Sequence, residues 1–259
     1  LIDTTQRENI VFTDNISNVF KNSNYITIIG DAGSGKSTLT KHLFLNAIKE
    51  KYGIPILVEL RYLNETDGDI QKFITEKIFE NKLSENDSIL QRLLLKGKFV
   101  FFLDGFDELS GSIKNKVIKN LNAFINCNDK NKYILTSRPY SNIENLPLFK
   151  NLYIKKLERE SGEIDKFIEL QLRKEKELAA KIIKSIKENN SLYIQSFLVN
   201  PLLLTLYILT FQTNAEIPNK KYIFYRRVIN ALFSEHDSKT KLGYIREKQS
   251  SLSQEQFEE

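Results

Sequence analysis

Residues 25–38 read Tyr25-Ile26-Thr27-Ile28-Ile29-Gly30-Asp31-Ala32-Gly33-Ser34-Gly35-Lys36-Ser37-Thr38. The first five are all aromatic or β-branched, which predicts a strand. Gly30 to Ser37 then satisfies G-x-x-x-x-G-K-[ST], and a helical pattern follows over Lys36–Tyr52, the context this motif requires. Glycines let the backbone curl through Gly30, Asp31, Ala32, Gly33, Ser34 and Gly35, so that successive N–H groups face a hollow suited to an anion. A helix starting near Gly35 adds its positive end. Lys36 offers an ammonium to β- and γ-phosphates, the Ser37 hydroxyl can ligate Mg²⁺, and Thr38 closes the motif.

Outward from this loop, strands are predicted at Pro55–Leu60, Phe99–Asp104, Lys132–Thr136 and Leu152–Lys156. They are apolar nearly throughout, as suits strands covered on both faces. Helices are predicted between them at Lys36–Tyr52, Ile70–Asn81, Ser88–Lys96 and Lys114–Asn126. The alternation argues for an α/β fold with a parallel sheet and helices on both faces. After Lys156 it stops, and Gly162–Leu172, Lys176–Lys187, Ser191–Val199, Pro201–Gln212 and Lys221–Glu235 all read as helices. Asn200 can cap the fourth of these, with Pro201 as its first residue, where the missing N–H is harmless.

The strand Phe99–Leu103 ends in Asp104-Gly105-Phe106-Asp107-Glu108. A carboxylate at the end of so apolar a strand is expensive unless it faces a cation or a polar cleft. Strand ends of such sheets meet at a ligand crevice. Asp104 is therefore the candidate for holding Mg²⁺ and its water shell, and Glu108 for orienting or deprotonating an attacking water. Asp107 could serve either task or hold Glu108 in place. A third strand ends in Thr136-Ser137-Arg138-Pro139; beside the acidic strand, it would bring Arg138 to the terminal phosphate as a sensor of nucleotide state.

Taken together, GDAGSGKST, FFLDGFDEL with a small residue after its first Asp, TSRP and the run Asn200-Pro201-Leu202-Leu203-Leu204 resemble the NACHT family of signal-transducing nucleoside triphosphatases, bacterial members above all. The resemblance runs from about Tyr25 to His236. It implies an ASCE-type P-loop domain at 23–157 and a helical domain at 158–240. Residues 1–22 would be a lead-in, and 241–259 the start of a winged-helix domain. It further implies ATP or ADP with Mg²⁺, slow hydrolysis, oligomerisation on activation, and effector and sensor domains fused outside this stretch. Pro201 matches the family proline near the adenine base. The family's winged-helix histidine has no counterpart here, since His236 precedes that domain. The expected role is a nucleotide switch in a multidomain signalling or immune protein, in bacteria one of antiphage defence. Alternatives are an AAA-type motor subunit and a small-molecule kinase.

Composition excludes other classes. The chain has 259 residues, 41% hydrophobic and 27% charged, ordinary values for a globular protein. Lys+Arg 38 against Asp+Glu 33 leaves +5, and acidic residues accompany the lysines almost everywhere, so no nucleic-acid groove is indicated. The single Cys127 rules out an internal disulfide framework and fits a reducing, cytoplasmic compartment. His42 and His236 stand apart, against a metal centre built on them. The longest apolar stretch, Phe197 to Phe211, is too short for a bilayer and is interrupted by Asn200 and Pro201, so no membrane partner is expected. Ser253 and Gln256 form a capping-box pattern with Leu252 and Phe257 as staple. That announces a helix still unfinished at Glu259, and the chain is expected to be an internal module of a longer protein.

Overall fold

The computed structural model describes residues 10–65, 69–80, 87–141, 146, 148–188, 191–213 and 222–229. The chain divides into two compact units, 1–154 and 155–259. In the first, α1 (Ile16–Val19), β1 (Tyr25–Ile29), α2 (Lys36–Lys49) and β2 (Ile54–Glu59) lead to a 3₁₀ segment at Leu60–Glu65. Next come α3 (Ile70–Glu80), α4 (Asp87–Leu95), β3 (Phe99–Asp104) and a 3₁₀ turn at Phe106–Glu108. The unit closes with α5 (Gly111–Cys127), β4 (Lys132–Ser137) and β5 (Lys150–Tyr153). All five strands run parallel in the order β2-β3-β4-β1-β5. Every strand therefore ends on the same edge of the sheet, and β4 lies between the glycine-loop strand and the acidic strand.

Alternation along the strands assigns each face its helices. Ile26, Ile28, Val100, Phe102 and Ile134 pack with Leu43 and Ala47 of α2 and with Ile16 and Val19 of α1. The intervening Phe99, Phe101, Leu103, Tyr133 and Leu135 pack with residues of α3, α4 and α5. Tyr133 stacks on Phe101 at 5.1 Å between ring centres. β3 is buried along Phe99–Leu103, as expected of a strand covered on both sides. Asp104, two residues beyond Phe102, falls on the same face as α2, the helix that begins at Lys36.

At the opposite edge of the sheet, fully buried Asn131 ties three elements together. Its Oδ1 accepts from Phe99 N at 3.0 Å, and its Nδ2 donates to Leu94 O at 2.8 Å and Asn128 O at 3.0 Å. Burial also raises the phenol of Tyr133, whose hydroxyl donates to Asn128 O, above its ordinary pKa.

Two expectations need correction. β5 is not Leu152–Lys156 but Lys150–Tyr153, and it is not covered on both faces, since Lys150 and Tyr153 are exposed. As an edge strand it pairs only with β1, so its register is set by Ile26–Ile29 rather than by its own apolar content. The last bond to that neighbour, Ile154 N to Ile29 O at 2.8 Å, lies just past it. The helix expected from Lys114 starts three residues earlier at Gly111, with Ser110 in the extended N-cap conformation.

The second unit consists of helices α6 (Glu163–Gln171), α7 (Lys176–Glu188), α8 (Leu192–Leu198), α9 (Pro201–Thr213) and a helical stretch at 222–229. Ile168, Ile182, Phe197, Leu204, Tyr207 and Phe224 share one core, with the rings of Phe197 and Phe224 edge-on at 4.9 Å. Asn200 caps α9 as the sequence predicts: its Oδ1 accepts from Leu202 N at 3.0 Å and Leu203 N at 3.3 Å. Among the described residues no helix is long and apolar enough to cross a membrane. His236, the capping box at Ser253 and Gln256, the staple at Leu252 and Phe257, and the whole of 241–259 lie outside the described residues, as do parts of the predicted helices at Asn81 and 221–235.

Candidate functional site

The loop after β1 is built as its residue types dictate. Gly30 N prolongs the sheet ladder by donating to Ser137 O at 3.2 Å, and Ser34 N closes a turn onto Asp31 O at 3.2 Å. Gly35 stands at the N-cap of α2 with φ 94°, a left-handed conformation that L side chains rarely adopt. Gly30 is glycine for a different reason. A Cβ there would meet Ser34 Oγ at 2.5 Å, so a side chain at this position would force the Ser34 hydroxyl aside. Ser34 Oγ is itself buried with no hydrogen-bond partner among the described residues. A buried orphan hydroxyl is costly unless a ligand satisfies it. Ser37 and Thr38 open α2 and are exposed.

Lys36 folds its side chain back onto the loop, donating from Nζ to Gly30 O at 2.6 Å and Asp31 O at 3.0 Å. Burial is the main influence on its ammonium and lowers its pKa below the ordinary value. Asp107, the strongest of the nearby charges, opposes that, Arg138 reinforces it, and Asp104 and Asp31 oppose it again. The glycine loop, both carboxylates and the arginine thus share one electrostatic neighbourhood.

On the acidic strand, Asp104 Oδ1 accepts a hydrogen bond from the hydroxyl of Thr136. The same hydroxyl accepts from Gly105 N at 2.9 Å. Gly105 has φ 83°, and a Cβ on it would stand 3.1 Å from Glu108 Cδ. The Glu108 carboxyl therefore lies back over the glycine, which accounts for the small residue after Asp104. Asp107 is engaged with Arg138: Oδ1 accepts from Arg138 N at 3.0 Å, and Oδ2 pairs with Arg138 Nε at 2.9 Å. Asp107 is largely shielded, its side chain 15% exposed against 58% for Arg138. Of the roles open to Asp107, the contact made is one with the arginine, across 31 positions of sequence.

Two residues bear on the site without having been singled out. Thr136 is fully buried and touches the acidic strand end directly. The signal was present, since a hydroxyl closing an apolar strand raises the same question as Asp104. Asn64, in the 3₁₀ segment after β2, brackets the turn carrying Glu108: its Nδ2 donates to Glu108 O at 3.0 Å and its Oδ1 accepts from Ser110 N at 2.9 Å. No spacing rule points to it. Pro201 begins α9 in the second unit, capped as described. His42 is occupied structurally, its Nε2 lying 3.2 Å from Thr13 O.

The residues present fit a polyphosphate and its cation. A loop in which a methyl group at position 30 would press on Ser34 Oγ, an orphan hydroxyl at Ser34 and an ammonium folded onto the loop carbonyls are features an anion would complete. Ser37 and Asp104 supply hard oxygen donors of the kind Mg²⁺ takes. Among the described residues no group of three or more His, Cys, Asp or Glu gathers to hold a metal. An ion held by Ser37 and Asp104 would need its other ligands from phosphate and water.

Several solved structures are similar in fold at low identity. The Walker-type ATPase PABY2304 of Pyrococcus abyssi is 18% identical, with 92% of this chain and 78% of that one covered and a TM-score of 0.48. Domain III of the replication initiation protein DnaA of Thermotoga maritima is 14% identical, with 85% and 87% covered and a TM-score of 0.44. The Signal Transduction ATPase with Numerous Domains protein PH0952 of Pyrococcus horikoshii, which carries a tetratricopeptide repeat sensor, is 17% identical, with 83% of this chain covered and a TM-score of 0.46; the match spans 31% of that protein. No curated protein matches in sequence. The NACHT domain model matches residues 24–171, which hold the glycine loop, the acidic strand and Arg138. With more than half of its length matched, and with a parallel sheet that places β4 between the loop strand and the acidic strand, this chain belongs to the NACHT domain family of P-loop nucleoside triphosphatases.

Proposed function

We propose that the chain is an ATP/ADP-binding, Mg²⁺-dependent, slowly hydrolysing switch that controls oligomerisation of a larger cytoplasmic protein carrying fused effector and sensor domains. The observation that carries this reading is Lys36 folded over the glycine loop within the electrostatic reach of Asp104, Asp107 and Arg138. Gly30, Asp31, Ala32, Gly33, Ser34, Gly35 and Thr38 form the cradle, and Lys36 exchanges its two carbonyl partners for phosphate oxygens. Ser37 and Asp104 hold Mg²⁺, which when bound offsets the charge of the phosphates. Glu108, over Gly105, orients the attacking water and takes its proton. Arg138 senses the terminal phosphate, and Asp107 holds it until that phosphate arrives. Pro201 is assigned to the base, and residues 158–240 to a helical domain, by the family resemblance; so is the place in bacterial antiphage defence.

The test starts with the purified chain. It is expected to carry ADP or ATP through gel filtration, identified by chromatography of the released nucleotide. Lys36→Ala is expected to lose that nucleotide, and unchanged retention overturns the assignment of the loop. Glu108→Gln is expected to keep ATP bound while slowing its hydrolysis at least ~100-fold, the scale of a general base. An unaltered rate removes Glu108 from the chemistry. Rapid turnover without any trigger would favour a motor over a switch.

A further inference from the structure

Thr136 is buried completely, and its hydroxyl is engaged both as donor and as acceptor. It donates to Asp104 Oδ1 and accepts from Gly105 N at 2.9 Å. It thereby occupies one of the two carboxylate oxygens. Oδ2 of Asp104 has no protein donor among the described residues, so a cation or its water would meet that oxygen. The backbone bond from Gly105 fixes the hydroxyl from the other side, so the carboxylate plane is set by β4 rather than by β3 alone. Outer groups of this kind orient metal ligands and tune affinity without touching the metal.

We propose that Thr136 is the positioning residue of the magnesium site, holding Asp104 Oδ1 so that Oδ2 is presented to the cation. The proposal rests on the reading of Asp104 as a magnesium-facing carboxylate. It requires no change in how the loop grips phosphates, because Thr136 contacts Asp104 and Gly105 rather than Lys36.

Thr136→Val keeps the shape of the side chain and removes the hydroxyl; Thr136→Ser keeps the hydroxyl. Binding of a fluorescent ATP analogue to the full chain is measured in EDTA and then across a Mg²⁺ titration, with no hydrolysis needed. Thr136→Val is expected to raise the Mg²⁺ concentration at half-effect by ~10-fold or more, the range seen for outer-sphere partners of metal ligands. Affinity in EDTA should stay as in the wild type, and Thr136→Ser should return the midpoint to within about threefold of it. Asp104→Asn, measured in parallel, separates the two failures. A normal midpoint in Thr136→Val with a raised one in Asp104→Asn overturns the proposal and spares the magnesium reading. Normal midpoints in both overturn that reading and the proposal with it. If Thr136→Val loses the fold by circular dichroism, Thr136→Ala takes its place under the same criteria.

Discussion

At Gly30 a methyl group would arrive 2.5 Å from Ser34 Oγ and 3.4 Å from the Ile154 side chain. Only the first is a clash, and it involves one rotatable hydroxyl. Gly30→Ala is therefore expected to weaken nucleotide binding by ~10-fold, equivalent to about 1.4 kcal/mol, and Ser34→Ala in that background to recover most of the loss. Equilibrium binding of the two single variants and the double one measures the coupling, and strictly additive effects would show that the two positions do not meet. Gly105 combines left-handed backbone with the nearby Glu108 carboxyl, so Gly105→Ala should destabilise by about 1–2 kcal/mol in urea and slow hydrolysis together. Lys36 has its own signature. Because burial lowers its pKa, the ammonium is lost at lower pH than from an ordinary lysine at 10.5. Nucleotide affinity should hold near neutrality and fall on the alkaline side starting below that value; a fall beginning only above it contradicts the burial argument.

Among the elements, legibility followed exposure. β3 read correctly because each of its first five residues faces a helix layer, so an unbroken apolar run was the only sequence that would serve. β1 and the start of α2 at Lys36 read correctly because both depend on local residue types. β5 starts two residues and ends three residues earlier than expected because it borrows its register from β1 and keeps two exposed positions. The 3₁₀ segments at Leu60–Glu65 and Phe106–Glu108 carry no periodic signal in so few residues. The contacts among Thr136, Asp104, Asp107 and Arg138 depend on which strands are neighbours, and spacing along the chain could suggest but not fix that. Asn131 belongs at this scale too, since it joins α4, β3 and the turn before β4. Its replacement by Ala strands Phe99 N and takes one of several donors from Leu94 O and Asn128 O, and is expected to cost about 1–3 kcal/mol in a denaturant titration. Asn200→Ala should cost the second unit about 1 kcal/mol through its lost cap.

For the molecule as a whole, two units with separate cores imply two unfolding steps rather than one. ADP at a hundredfold its dissociation constant should stabilise the unit carrying the glycine loop by about 2.7 kcal/mol, visible in scanning calorimetry. Lys36→Ala should erase that shift. The sheet order adds a consequence of its own. Successive positions at the end of β4 each serve a different neighbour: Thr136 reaches Asp104, Ser137 receives Gly30 N, and Arg138 grips Asp107. Edge strand β5 has only one neighbour to satisfy. In a library covering every residue, tolerance should therefore collapse at 136–138 and stay broad at 150–153. The strand that joins the loop strand to the acidic strand is the one on which evolution has the least room to improvise.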